Sequence, residues 1–293
     1  MICQNKKILL IGSSGQVGSA LLEILGDEKK ITYPKNSLFL NLTSVELEKK
    51  LYYLNPNIII NTLAYTSVDK AENDRQHAFS LNTLFPKTLS KWCYENNCLL
   101  VHYSSDYVFS GKGTILRTED SNTDPINYYG LTKLKGDFAI KNSKANAIIL
   151  RCSWIYSFSH NSFLKTILNK MENELELNVV NDQVGAPTSA RWIAQITKNL
   201  IKNPKLTKGF HLINCVPDGF ASWYEFSILI FELIKKRKFN IKTKCINPIA
   251  SKLLVHSAKR PKNSRLCNKK LKFLLNTKVP DWKTIFKNEL NNL

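Results

Sequence analysis

Short apolar runs alternate with longer stretches of helical periodicity through the first half of the chain. Runs of strand length fall at residues 6–11, 57–62, 98–103 and 147–151. Between them, apolar residues recur at helical spacing from Val17 to Leu25 and over residues 43–54, 76–96 and 129–142. Short unbroken apolar runs suit strands buried on both faces, and the longer periodic stretches suit amphipathic helices. Their alternation predicts an α/β fold, a Rossmann-type doubly wound parallel sheet with helices on both faces. Further on, the pattern predicts helices at 162–172, 190–203 and 222–236 and a strand at 210–214. The expected division is a sheet domain over residues 1–155 and a smaller C-terminal α/β lobe over 156–293, with some of the later segments returning to the sheet.

Ligands of such sheets sit outside the carboxyl ends of the strands. The first strand run ends directly in Gly12-Ser13-Ser14-Gly15-Gln16-Val17-Gly18, and the helical pattern follows at once. Strand, glycine turn and helix in that order are the context of a dinucleotide fingerprint. The glycines let backbone approach a pyrophosphate, which rests on the free N–H groups of the helix N-terminus. The spacing here is G-x-x-G-x-x-G rather than G-x-G-x-x-G. In NAD-binding units an acidic residue about 20 positions beyond the loop holds the ribose 2′-hydroxyl. Residues 31–37 contain no carboxylate and one lysine, Lys35. A cation suits a 2′-phosphate, so the reading favours NADPH and leaves NADH open.

Tyr129 and Lys133 lie four residues apart in a helical stretch, which puts both side chains on one face about one turn apart. A neighbouring ammonium favours the phenolate, so Lys133 is expected to lower the Tyr129 pKa from its reference near 10. Asn61, Ser104, Ser105 and the segment after Arg151 fall at strand ends, where they can converge with the glycine loop. Asn181 to Thr188 includes Gly185 and Pro187 and reads as a shaped loop.

Segments spread over almost the whole chain carry a family resemblance. They are Gly12 to Gly18, Tyr65 to Glu72 with its Val68-Asp69-Lys70-Ala71-Glu72 core, His102 to Phe109, Tyr128 to Lys133, Arg151 to Tyr156, Asn181 to Thr188, Arg260-Pro261-Lys262-Asn263-Ser264-Arg265-Leu266 and Pro280-Asp281-Trp282. The chain resembles an extended short-chain dehydrogenase/reductase, and specifically the dTDP-4-dehydrorhamnose reductase family. That resemblance implies an NADPH-dependent oxidoreductase. Its reaction would reduce the C4 ketone of dTDP-4-dehydro-L-rhamnose to dTDP-L-rhamnose, the last step of dTDP-rhamnose synthesis.

Carried over residue by residue, Tyr129 would donate the proton to the ketone oxygen, and Lys133 would assist it and hold the nicotinamide ribose. Ser105, 24 residues before Tyr129, takes the place of the family's Ser or Thr that holds the carbonyl oxygen, whereas Ser104 is one position off that register. The cofactor would lie on Gly12, Gly15, Gln16, Val17 and Gly18, with Lys35, Asn41, Leu42, Leu63, Ala64, Tyr129 and Lys133 around it. The sugar nucleotide would meet Val68, Ser105, Asp106, Tyr107 and Trp154. Arg260, Asn263 and Arg265 resemble the family's nucleotide-sugar-binding loop, and arginine forks suit a diphosphate.

Several positions depart from the family. Related dehydratases carry an Asp-Glu pair directly after the Ser/Thr, because elimination needs an acid and a base. Here the pair is Asp106-Tyr107, which argues against elimination. Asn41 stands where an aspartate near the adenine is usual, and Thr62 and Leu63 replace small alanines. Some bacterial members bind Mg²⁺ at a dimer interface through a C-terminal glutamate cluster, of which Glu289 alone remains here. No metal ligand is therefore assigned, and Mg²⁺ stays open. Two alternatives stand beside the leading reading: reduction of a different 4-keto-6-deoxy nucleotide-sugar, and a non-catalytic NADP-binding regulatory subunit on the same scaffold.

Composition narrows the partners. With 42 Lys+Arg against 23 Asp+Glu the formal charge is +19, but the lysines are spread along the chain. The main cluster, Lys235-Lys236-Arg237-Lys238, follows an amphipathic helix and suits its C-terminal end. A dTDP-sugar is the expected partner, with a homodimer implied and neither nucleic acid nor membrane; the positive field attracts such doubly anionic ligands. The seven cysteines form no C-x-x-C pair and read as reduced thiols; Cys93 and Cys98 flank a helix–strand junction and need not meet. The apolar run at 6–11 is far too short for a signal peptide or membrane span and no later run reaches that length, so the cytoplasm is the expected compartment.

Overall fold

The strands Ile8–Ile11, Ile58–Asn61, Leu99–Ser105 and Ala147–Cys152 are buried at every position. Strands of that kind need cover on both faces, and in the computed structural model they form the centre of a parallel sheet. The structure describes residues 6–26, 31–40, 42–237, 239–254 and 257–292. The six strands lie in the order Phe210–Asn214, Ala147–Cys152, Leu99–Ser105, Ile58–Asn61, Ile8–Ile11, Ile31–Thr32, all parallel. Chain direction across the sheet reverses between Ile8–Ile11 and Ile58–Asn61. A crevice opens at such a switch point.

On one face, helix Gln16–Leu25 packs with helix Ala190–Lys202 over Leu10, Ile60, Val101 and Ile148. On the other, Ser44–Leu54, Phe85–Glu95 and Tyr128–Asn142 cover Leu9, Ile59, Leu100 and Ile149. The odd and even residues of each strand thus feed two separate apolar layers. One helix and one strand of that assembly, Ala190–Lys202 and Phe210–Asn214, come from the second half of the chain.

The stretch expected as one helix at 76–96 is broken. Arg75–Phe79 and Phe85–Glu95 are α-helical, and Ser80–Leu84 between them is a π turn. Pro86 has no N–H to continue the regular ladder, and the wider turn takes up the register. Buried Asn82 in that turn accepts from Tyr65 N and donates to Thr132 Oγ1 at 3.1 Å, tying the break to the Tyr128–Asn142 helix.

The remaining segments build the second lobe. Strand Glu176–Val180 pairs with Cys245–Ile249, and helices Phe163–Asn173, Trp223–Lys236 and Trp282–Asn291 enclose Tyr156, Phe226, Trp282 and Phe286. Residues 181–188, expected as a loop, contain the short strand Val184–Gly185 and enter Thr188–Ser189. Lys235 and Lys236 occupy the last turn of helix Trp223–Lys236 with Arg237 as its C-cap. Lys238 and Asn41 lie outside the described residues. Cys93 and Cys98, both buried, are brought close by the turn that Cys98 N closes on the Cys93 carbonyl at 2.9 Å, and both thiols stay reduced. No helix among the described residues is long and apolar enough to cross a membrane.

Candidate active site

A cleft of about 770 Å³ opens over the carboxyl ends of Ile8–Ile11, Ile58–Asn61 and Leu99–Ser105. Its first end is shaped by glycine. Gly12 has φ +92°, and a Cβ there would lie 2.3 Å from Thr62 Oγ1 and 2.6 Å from Leu63 N. A Cβ on Gly18 would fall 2.0 Å from the Gly12 carbonyl oxygen, so the first helical turn presses directly on the loop. Helix Gln16–Leu25 starts at Gly15 with no side-chain cap, which leaves its first N–H groups free, and Gln16 Oε1 is buried without a hydrogen-bond partner. Unspent donors facing a concave glycine turn fit a dinucleotide pyrophosphate.

Gly12, Gly15, Gln16, Val17, Gly18, Leu63 and Ala64 all line the cleft. Lys35 does not; it is exposed, and its neighbour Asn36 takes the position on the wall, donating to Ser14 Oγ at 2.8 Å. Leu42 packs against the apolar layer under Ser44–Leu54 rather than facing the cleft.

The second end is organised by helix Tyr128–Asn142. Asn127 Oδ1 accepts the Gly130 N–H at 2.8 Å and fixes where that helix begins. Gly130 lets the first turn rest on the Tyr107 carbonyl, where a Cβ would come within 2.1 Å. With the start fixed, Tyr129, Lys133 and Asp137 recur every four residues along the face turned to strand Leu99–Ser105.

Ser105 Oγ accepts the Tyr107 N–H and donates to Asp106 Oδ1, both at 3.1 Å, and its hydroxyl lies close enough to the Tyr129 phenol to restrain the rise of that group. The Tyr107 and Tyr129 rings meet edge to face at 5.6 Å. Ser104, one residue earlier on the strand, donates its hydroxyl to Asp137 Oδ2 at 2.9 Å, two helical turns beyond Tyr129. That geometry sets Ser105, and not Ser104, beside the tyrosine.

The expected effect of Lys133 on Tyr129 requires correction. Burial raises the Tyr129 phenol above its ordinary value; Ser105 pulls it back in part, and Asp106 raises it further. Lys133 contributes no comparable lowering, because its ammonium is drawn down to the Tyr103 carbonyl at 2.5 Å. Burial brings Lys133 itself down to about 8, against the opposing pull of Asp137. Burial likewise raises Asp137, while Arg151 at 3.2 Å and Ser104 hold it down. Asp106 is pushed up to about 6 by burial, with Ser264 and Ser105 restraining it.

Val68, Asp106, Tyr107 and Trp154 line this end of the cleft with Ser105, Tyr129 and Lys133. Trp154 has φ +49° and stacks on Trp223 at 3.5 Å and 7°. Arg260, Asn263 and Arg265 stand behind the lining. Arg260 Nη2 donates to Asp69 Oδ2 at 2.5 Å, and its guanidinium lies close enough to Tyr107 to oppose the rise of that phenol. Buried Asn263 donates to the Ile115 carbonyl and accepts from Arg265 N and Nη1, so this pair shapes its own loop. The sequence reading missed His160, Asn161, Phe163 and Trp223 on the wall. The mostly polar stretch Ser157 to Ser162, three residues beyond Trp154, was the signal available for the first two.

Glu289 is hydrogen-bonded to Ser189, and no group of three His, Cys, Asp or Glu side chains suited to a metal gathers among the described residues.

A doubly wound sheet, a glycine cradle at its switch point and the Ser105, Tyr129 and Lys133 set in one cleft mark a dinucleotide-dependent short-chain dehydrogenase/reductase. The profile of the family described as RmlD substrate binding domain matches residues 6–293. The chain is 34% identical to the dTDP-4-dehydrorhamnose reductase of Shigella flexneri over 98% of this chain and 97% of that one. Its fold matches a dTDP-4-dehydrorhamnose reductase from Clostridium acetobutylicum with a TM-score of 0.89 at 32% identity, covering 98% and 100% of the two chains. It matches the Bacillus anthracis dTDP-4-dehydrorhamnose reductase, solved in complex with NADP, with a TM-score of 0.90 at 28% identity, covering 98% and 99%. The chain belongs to the dTDP-4-dehydrorhamnose reductase family, an oxidoreductase family.

Proposed function

We propose that the cleft reduces the C4 ketone of dTDP-4-dehydro-L-rhamnose to dTDP-L-rhamnose with NADPH, through Ser105, Tyr129 and Lys133. The observation that carries this reading is the common wall these three share with the glycine cradle, one cleft joining a dinucleotide end to an acid–base end. NADPH, when bound along Gly12, Gly15, Gln16, Val17, Gly18, Leu63 and Ala64, supplies the hydride. Tyr129, whose phenol stays protonated at neutral pH in its buried setting, gives its proton to the ketone oxygen. Ser105 turns its hydroxyl to the same oxygen and steadies the charge that develops there. Lys133 keeps N–H groups for Tyr129 and the nicotinamide ribose.

Residues 1–155 hold the dinucleotide in this reading, and residues 156–293 mainly close over the sugar nucleotide. Val68, Asp106, Tyr107 and Trp154 contact the sugar, and Arg260 and Arg265 serve the diphosphate. A homodimer in the cytoplasm, acting on a dTDP-sugar and on neither nucleic acid nor membrane, completes the proposal.

The test is product analysis. The protein is incubated with NADPH and enzymatically generated dTDP-4-dehydro-L-rhamnose, and the sugar ring protons are followed by NMR. Appearance of dTDP-L-rhamnose supports the proposal. Formation of a C4 epimer, or turnover confined to a uridine-linked 4-keto sugar, would replace the substrate assignment.

A further inference from the structure

Beneath the Tyr129–Lys133 pair lies a chain of buried polar groups that the reaction scheme does not use. The Leu63 N–H donates to Asn61 Oδ1 at 3.2 Å. Asn61 Nδ2 lies 3.1 Å from His102 Nδ1, and His102 Nε2 lies 3.5 Å from Lys133 Nζ. Lys133 Nζ in turn donates to the Tyr103 carbonyl at 2.5 Å. Asn61, His102 and Lys133 are each 2% exposed or less, so their hydrogen-bond partners within the protein decide their orientation.

The direction of this chain follows from its first link. A backbone N–H can only donate, so the Asn61 atom that meets Leu63 is its oxygen. The Asn61 amide nitrogen therefore faces His102 Nδ1 and donates to it. A neutral imidazole that accepts at Nδ1 carries its hydrogen on Nε2. Burial and the charge of Lys133 both hold His102 neutral. The group presented to the lysine is thus an N–H with no lone pair.

We propose that His102, oriented by Asn61, is a positioning residue for Lys133: it denies the ammonium an acceptor at the base of the cleft and so directs its free N–H groups up towards Tyr129 and the dinucleotide. An ammonium has three donors. One is held by the Tyr103 carbonyl, and the His102 side offers nothing to bind. Of the other polar neighbours, Asp137, one turn further along the same helix, gives Oδ2 to Arg151 and Ser104 and leaves Oδ1 without a hydrogen-bond partner, so it acts on the ammonium through its charge and not through a hydrogen bond; Cys152 on the adjacent strand also acts through charge alone. The same arrangement withholds one hydrogen bond from the charged form, in line with a lysine brought down to about 8. The inference rests on Lys133 serving the reduction.

The test has two parts. In wild-type protein labelled with ¹⁵N-histidine and free of cofactor, long-range proton–nitrogen NMR reads the tautomer directly. The proposal expects the neutral Nε2–H form for His102 at neutral pH; the Nδ1–H form or an imidazolium overturns it. In the His102→Gln variant the carboxamide oxygen can accept from Lys133. The ¹³Cε signal of Lys133, assigned with Lys133→Arg, should then titrate about one pH unit higher, and the Kd for NADPH should rise about tenfold. An unchanged titration midpoint overturns the proposal. If His102→Gln does not fold, the wild-type tautomer decides. Because neither the tautomer nor the titration uses the sugar substrate, a wrong substrate assignment leaves both readouts standing.

Discussion

Arg260 Nη2 lies 2.5 Å from Asp69 Oδ2, and the other oxygen of that carboxylate accepts the Ala258 N–H at 3.0 Å. Asp69 belongs to the segment after strand Ile58–Asn61, whereas Arg260 belongs to the loop that shapes the far side of the cleft, 191 residues later. One carboxylate thus holds the loop backbone and aims the arginine assigned to the diphosphate. Asp69→Asn should loosen that aim. The expected result is a KM for the sugar nucleotide raised about tenfold, the loss of one well-oriented charged hydrogen bond, with KM for NADPH unchanged. Initial rates with each substrate varied in turn measure both. A fall in the sugar-nucleotide KM would mean that Asp69 competes with the diphosphate instead.

Trp154 and Trp223 stack at 3.5 Å on the wall of the cleft, and Phe163 backs Trp223 at 4.2 Å. Aromatic pairs of this kind contribute about 0.5–1.5 kcal/mol beyond their buried area. Trp223→Ala should leave Trp154 unsupported in its φ +49° conformation. The expected outcome is a higher sugar-nucleotide KM with little change in NADPH affinity, read by the same rate measurements and by NADPH fluorescence titration.

Gly18 and Gly15 should respond differently to the same change. A Cβ at Gly18 meets the Gly12 carbonyl oxygen at 2.0 Å, backbone against backbone, whereas at Gly15 it has 3.6 Å. Overpacking of this sort costs about 1–3 kcal/mol. Gly18→Ala should lower Tm well beyond Gly15→Ala in thermal unfolding, and equal losses would contradict the close packing of helix on loop.

Much of this was legible in the chain. The four central strands open on apolar runs, so they read correctly without any periodicity, and the helices expected at 43–54 and 129–142 begin within a residue of that, at Ser44 and Tyr128. The break at Ser80–Leu84 was not legible, since a π turn keeps helical spacing and only Pro86 hints at it. In the site, Ser105, Tyr129 and Lys133 were named through the family resemblance, with the 24-residue register choosing Ser105 over Ser104. Their electrostatics were not legible, because a four-residue spacing says that Tyr129 and Lys133 share a face and is silent on depth. Burial, and the Tyr103 carbonyl that captures Lys133, reverse the direction expected for the tyrosine. Lys35 was chosen for its charge, but chain direction at Asn36–Leu38 turns Asn36 to the cleft instead. Trp223 and Phe163 reach the site from the second lobe, a contact that no local pattern encodes.

The pH dependence follows from Lys133. Its ammonium is retained at pH 7 and lost as pH rises through about 8. A reaction that needs the ammonium should therefore lose kcat/KM above about pH 8. Stability should move the other way. The folded state holds this proton less tightly than the unfolded chain, whose lysine lies near 10.5. Between those values the unfolded state binds more protons, so the contribution of Lys133 to folding rises with pH. Activity and Tm profiles of wild type and Lys133→Met separate the two: the variant should lack the alkaline rise in stability relative to wild type, and a parallel fall of activity and Tm would instead indicate alkaline unfolding.

The central claim is that Tyr129 delivers the proton to the C4 oxygen. The most direct measurement is NADPH oxidation, followed by absorbance, with enzymatically generated dTDP-4-dehydro-L-rhamnose, comparing wild type with Tyr129→Phe. Robust turnover is expected in the wild type, and a loss of about 10²–10⁴-fold in kcat in the variant, with NADPH binding preserved. A variant that turns over at the wild-type rate would contradict it.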